Sequence, residues 1–311
     1  MIEYSPNRNW WRDLRHLGAS WTLRRIMRAV LAVGGYTLAL SFLMIHFDIE
    51  VGRSISGTFS LLGVILSIVL VFRTNTAYDR WWEGRKQWGA LVNHSRNLAI
   101  QLDAVLPAED RAGRSAFARM IANFALALSE HLRGGVVTSS LIPPGPDEDV
   151  DSMDLAAMPG HVPAHIARAI VGRIHDARRD GHIDGFDVLA LKPHAQALLD
   201  IAGACERIRK TPIPFSYSVF IKLFIIVYAA ILPVGLVPEY NYLAVPLVMI
   251  IVFALLGLEL MAGEIEDPFG LDCNDLPTGT IAATIRSDAA ELLRVAPERS
   301  QPAPLPYSKI F

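Results

Sequence analysis

Three stretches of this chain, Ala29 to Phe47, Ser54 to Phe72 and Tyr240 to Leu258, each run nineteen residues without Asp, Glu, Lys or Arg. About 20 apolar residues in helical form cross the hydrocarbon core of a bilayer. Lipid offers the backbone no water to bond to, so such stretches must fold as helices. A fourth candidate, Phe215 to Val237, is interrupted only by Lys222, whose long stem can carry its charge to the headgroups. Composition agrees, with 52% apolar and 19% charged residues and a mean hydropathy of +0.32, which is apolar beside ordinary soluble domains. The first run is too long for a cleavable leader and has no small-residue cleavage site before the second, so it is expected to remain in the mature chain.

The net charge of -2 hides an uneven distribution. Arg8, Arg12, Arg15, Arg24, Arg25 and Arg28 precede the first run, whereas the loop to the second holds only Arg53 and the loop around Glu239 holds no base. Positive charge stays on the cytoplasmic side of a membrane. The N-terminus is therefore expected in the cytoplasm, and four crossings return the C-terminus there. Arg73, Arg80, Arg85 and Lys86 after the second run, with Arg207, Arg209 and Lys210 before the third, agree with this placement. The chain then divides into a basic segment (1–28), two spans (29–72), a cytosolic domain (73–210), two further spans (211–258), a cytosolic segment (259–295) and a Pro-rich tail (296–311).

Residues 73–210 are too polar for lipid and too many for a loop. Apolar residues recur there at steps of three and four from Trp82 to Val105, Ser115 to Leu132 and Ala164 to Asp180, the spacing of amphipathic helices. Strand alternation is absent. Gly134-Gly135 and the run from Pro143 to Asp149 punctuate the domain,. Thr211-Pro212-Ile213-Pro214 stops one helix and restarts another, because each proline lacks an N–H donor and the residue before it avoids the helical region,. No internal repeat supports the inverted architecture of many transporters. Cys205 and Cys273 have neither disulfide-framework nor zinc spacing,. His161 and His165 could share a helical face, but two histidines without a third ligand read as surface residues,.

Phe72-Arg73, Tyr78-Asp79-Arg80-Trp81-Trp82-Glu83-Gly84-Arg85, Trp88-Gly89 and Asn93 together resemble the bestrophin signature after its second span. Cys205-Glu206-Arg207-Ile208 with Thr211 to Tyr217 looks like the family's approach to its third span. Ile265 to Gly270 with Asn274-Asp275-Leu276-Pro277 looks like its segment after the fourth. The resemblance implies an all-α membrane protein, four transmembrane helices per subunit plus a cytosolic helical domain, assembled as a homopentamer around one pore lined by the second span.

Val64, Ile68 and Phe72 stand four residues apart on that span. Each such step drifts about 40° around an ideal helix, so the three form one stripe. Gly57, Ser60, Gly63 and Ser67 beside it are small enough to let neighbouring helices approach,. Apolar residues in a membrane helix face lipid by default; the resemblance instead matches these three to the family's hydrophobic neck, which conducts by wetting and stops by dewetting. Leu61 and Leu70 are placed off the stripe. The family also implies a cytosolic aperture, for which Ile183 and Phe186 are both candidates. Trp81 and Trp82 read as interfacial anchors.

Asp272, Asn274 and Asp275 offer oxygens suited to calcium,. Calcium-responsive animal bestrophins carry a longer acidic run here, and Leu271, Cys273 and Asn274 dilute it in this chain, so calcium is expected to act weakly or not at all. No cofactor is required. The expected function is passive conduction of small monovalent ions across the cell membrane, chloride and other anions by family default, with sodium or potassium as the alternative. The expected partners are the lipid bilayer and further copies of the chain, not nucleic acid. A membrane enzyme is the rival class, but HExxH, phosphate-cradling glycine and nucleophile-elbow motifs are all missing. A non-conducting scaffold is the third reading.

Overall fold

The computed structural model describes residues 21–49, 56–143, 145, 160–272 and 274–296. Arg8, Arg12, Arg15, Arg53, Cys273, most of the Pro143 to Asp149 run and the tail from Pro297 lie outside them. The described residues form helices α1 (Trp21–His46), α2 (Ser56–Val105), α3 (Arg111–His131), α4 (Val162–Arg179), α5 (Gly185–Lys210), α6 (Phe215–Tyr240), α7 (Ala244–Ile265) and α8 (Thr278–Leu292), with short 3₁₀ turns at Thr138–Ser140 and Asn241–Leu243. There is no strand among them.

Helix α2 organises the molecule. The second apolar run and the amphipathic stretch from Trp82 are one helix of 50 residues, about 75 Å long at 1.5 Å per residue. No proline interrupts it, and it ends shortly before Pro107,. One end belongs to an apolar core in which Leu66 and Leu70 pack with Ile26 and Val30 of α1, Ile221, Ile225 and Leu232 of α6, and Val248 and Val252 of α7. The other end belongs to a larger core where Trp88, Leu91, Leu98 and Leu102 meet Phe117, Phe124, Ile166, Ile170, Leu198, Phe269 and Ile285.

Local signals set the remaining boundaries. The Asp110 side chain caps α3 by accepting from Gly113 N–H at 2.8 Å, and Gly134 and Gly135 follow that helix at φ of 118° and 152°, which glycine adopts without strain. Asp184 and Asp187 form a capping box at the start of α5,. The Thr211 to Pro214 stop separates α5 from α6 as its prolines require.

Among the described residues, three stretches are long and apolar enough to cross a membrane: Leu23–His46, Gly57–Val105 and Phe215–Ile265. The last holds two helices, α6 and α7, joined at Asn241, whose φ is 51°. The run from Tyr240 to Leu258 thus begins at the last residue of α6 and passes through the 3₁₀ turn before it enters α7.

Candidate ion pathway

On α2 the side chains of Val64, Ile68 and Phe72 are 56%, 52% and 63% exposed, whereas Leu66 and Leu70 are fully buried. The stripe therefore lies on a face that none of the other described residues covers, and Leu70 lies off it. Leu61 does not: it is 66% exposed, because a residue three positions before Val64 turns back to within about 60° of it. Ile65 and Val71 widen the same face. Of the small residues, Gly57, Ser60 and Ser67 are exposed beside the stripe. Gly63 turns inward, where a Cβ would come within 2.6 Å of the Tyr228 hydroxyl.

Beneath this face three separated segments meet. Arg73 is buried and donates to Glu266 Oε2 at 2.6 Å, with Glu259 Oε2 3.7 Å from its Nε. Arg80 extends across to the carbonyls of Glu266 (3.0 Å), Ile208 (2.6 Å) and Thr211. Glu266 Oε1 accepts the Ile213 N–H at 2.9 Å, Arg207 pairs with Glu83 at 2.5 Å, and the Trp81 indole donates to the Asn274 carbonyl at 3.0 Å. Gly84 permits the closest approach, since a Cβ there would lie 3.1 Å from the Phe269 ring and 3.2 Å from Leu276. The three quoted motifs are thus one joint, in which charged groups from α2 satisfy backbone carbonyls exposed at the end of α5 and beyond α7. Trp81 is half-buried in this joint, and Trp82 is 46% exposed.

Sequence reasoning missed the Arg73, Glu259 and Glu266 grouping. Its signal was present: an ionisable residue at the end of an apolar run is costly to bury and calls for a partner.

In the acidic turn, Asp275 Oδ2 accepts the Asp272 N–H at 2.5 Å and the Asn274 side-chain amide donates to Glu264 at 2.9 Å. Burial pushes the Asp275 carboxyl up to about 7. Its Oδ1 is buried without a hydrogen-bond partner. The turn's polar atoms are largely engaged with one another.

Ile183 is 6% exposed and belongs to the larger core. Phe186, in the first turn of α5, is 81% exposed and borders an open cleft of about 600 Å³ between α4 and α5, with Val171, Leu189 and Lys192. The carboxylates of Asp184 and Asp187 stand beside it.

Long apolar helices joined through a buried charge cluster to a helical domain of comparable size define a helical membrane protein with an uncovered apolar face along its longest helix. The chain matches the family described as Bacterial/Fungal Bestrophin protein over residues 1–291, and it belongs to that family. It is 33% identical over 262 residues to a protein of Nostoc sp. named voltage-dependent anion channel-forming protein, covering 82% of this chain and 83% of that one. A protein of Escherichia coli K12 with the same name is 32% identical, covering 79% and 78%. Among solved structures, a bacterial bestrophin homologue from Klebsiella pneumoniae superposes with a TM-score of 0.77 at 27% identity, covering 88% of this chain and 99% of that one.

Proposed function

We propose that this chain is a subunit of a passive bestrophin-type channel that conducts small monovalent anions, chloride among them, through a hydrophobic neck of Val64, Ile68 and Phe72. The observation that carries the reading is the uncovered apolar face of α2 on a chain whose relatives are named anion channel-forming proteins. Several copies of α2 around one axis, five by family resemblance, would place each stripe residue in a ring. A ring of large apolar side chains closes a small pore by excluding water. Membership of this family makes the chain a channel and not an enzyme.

Four crossings follow if α6 and α7 each span the bilayer on either side of the turn at Asn241. Both termini and residues 73–210 then face the cytoplasm, as the arginine asymmetry requires. Phe186, exposed where Ile183 is buried, is the better candidate for the cytosolic aperture. Asp184 and Asp187 beside it favour a second reading, because acidic groups along a vestibule concentrate cations. In that case the same path passes sodium or potassium.

Purified protein in liposomes, with flux recorded under chloride and sodium gradients in turn, separates the readings. Chloride flux is expected. Sodium flux without chloride flux replaces the first reading with the second, and no flux of either ion removes both. The Ile68→Ala, Phe72→Ala double variant should conduct severalfold more than the parent, since a wider ring wets at lower cost. Ile226→Ala, equally exposed but on α6, should leave conductance unchanged. A double variant that assembles normally and conducts like the parent would mean that α2 presents the wrong face to the path. Micromolar calcium should change flux little, and a severalfold rise abolished by Asp275→Ala would restore a calcium site.

A further inference from the structure

We propose that His131, His161 and Glu206 form a binding site for a divalent transition metal of the zinc type. The three residues come from three helices: His131 ends α3, His161 is the N-cap of α4 and Glu206 lies in the last turns of α5. Nothing in their sequence positions requires them to meet. His165, one turn from His161 and the partner that spacing suggests, is not among them.

The geometry is that of a contracted ligand set. Glu206 Oε1 lies 3.2 Å from His131 Nε2 and is hydrogen-bonded to His161 Nε2. The imidazole centroids are 4.6 Å apart, and one ligand atom from each residue falls within 4.8 Å of the other two. Ligand atoms around tetrahedral zinc at about 2.0–2.1 Å are about 3.3 Å apart, so small side-chain rotations suffice to surround an ion, with water as the fourth ligand. Two histidines and one carboxylate are a common zinc donor set, and its two imidazole nitrogens do not suit a hard, oxygen-seeking cation.

The surroundings present the right atoms in the right states. Lys210 Nζ holds Glu206 Oε2 at 3.0 Å, leaving Oε1 toward the histidines, as outer partners of metal-bound carboxylates do. Arg209 donates to the His131 carbonyl at 2.8 Å and fixes that helix end. Burial and the neighbouring His161 hold the His131 imidazole below its ordinary pKa, so its lone pair is available at neutral pH. Burial opposes ionisation of Glu206, but hydrogen bonds from Lys210 and His161 outweigh it and keep the carboxylate charged. His161 Nδ1 accepts the Ala164 N–H at 3.1 Å, and that amide also reaches the His161 carbonyl at 3.0 Å. An ion on Nε2 would take the other neutral tautomer, with the ring proton on Nδ1, and the Ala164 N–H would then keep the His161 carbonyl as its acceptor. Binding should weaken as pH falls, because protons compete for both imidazoles. The cations of Lys210 and Arg209 oppose the incoming charge, but both are exposed and screened,.

Glu206 stands beside Arg207, which pairs with Glu83 of α2, and just before the turn into α6. An ion here would tie α3, α4 and α5 together where the soluble helices meet the apolar ones. Without an ion the three residues form a hydrogen-bonded cluster that holds three helix ends together.

The test uses the full, tag-free chain in detergent, titrated with cobalt(II) and with zinc. One site per chain is expected, with visible absorption bands of tetrahedral cobalt and a zinc-dependent rise in the thermal midpoint at pH 7.5 that vanishes near pH 5. His131→Ala and Glu206→Gln should each weaken binding tenfold or more. His94→Ala, which removes one member of the separate His94 and His194 pair, should not. If His131→Ala fails to fold, His161→Gln replaces it. Absence of saturable binding by the parent, or binding equally tight in the folded site variants, overturns the proposal. Neither result depends on whether the protein conducts.

Discussion

A guanidinium with only 2% of its side chain exposed sits at the end of an apolar run in Arg73, balanced by Glu266 and Glu259. Removing one member of a buried pair costs more than the pair contributes, because the remaining charge is left without compensation, at about 3–5 kcal/mol. Arg73→Met should therefore lower the thermal midpoint of the detergent-solubilised protein sharply. The Arg73→Met, Glu259→Met double variant should recover much of that loss. Asp275 makes the opposite kind of prediction. Its carboxyl is raised by burial from the ordinary 3.8 to about 7, so in this window the folded chain keeps a proton that the unfolded chain has lost. Stability then falls as pH rises from about 4 to about 7, and the penalty is complete above it. Asp275→Asn keeps an acceptor for the Asp272 N–H and removes the titration. It should raise the midpoint at pH 8 by about 2–4 °C and change it little at pH 4, as thermal unfolding at the two values would show.

At the scale of the helix, contact between elements depends on missing side chains. A Cβ on Gly235 of α6 would lie 2.1 Å from the Phe59 ring of α2, so Gly235→Ala must push two membrane-type helices apart, a strain of about 1–3 kcal/mol. Gly35 of α1 and Gly257 of α7 have nothing within 4 Å of that position, and alanine there should be neutral or mildly stabilising in the same melting assay. The apolar runs made α1, α2, α6 and α7 legible in the sequence because lipid demands uninterrupted apolar helix. The amphipathic stretches did the same for α3 and α4. Helix α5 was hidden: no amphipathic stretch was read beyond Asp180, and Pro193 sits inside the helix, while the true start signal was the Asp184 and Asp187 box. The stripe was legible as a period, but its width was not, since Leu61 joins it through a three-residue step that a four-residue rule passes over. Arg73 at the end of its apolar run signalled that a partner was needed but not which one, and the His131, His161 and Glu206 group gave no signal, as each unites residues far apart in the sequence.

For the whole molecule, the uncovered apolar surfaces of α1, α2 and α6, including Phe42, Phe72 and Ile226, demand either lipid or further copies of the chain. Orientation can be tested on one exposed residue. Val137→Cys, in a background with Cys273→Ser, should resist an impermeant thiol reagent outside intact cells and react once the membrane is opened. Cys205 would not interfere, because it is fully buried and its thiol is pushed up to about 12. Labelling from outside would reverse the proposed topology. The single rod of α2 also sets a rule about which changes of length the molecule can absorb. One residue inserted between Phe72 and Arg80 would turn everything above it by about 100° relative to everything below, swinging Leu66 and Leu70 out of their core while Arg80 and Trp81 kept their partners. An insertion between Arg133 and Val137 turns neither neighbour, because α3 ends at His131 and the next described helical turn starts only at Thr138. Chains built on this plan can therefore grow and shrink freely in their connections, but their axis must be counted residue by residue.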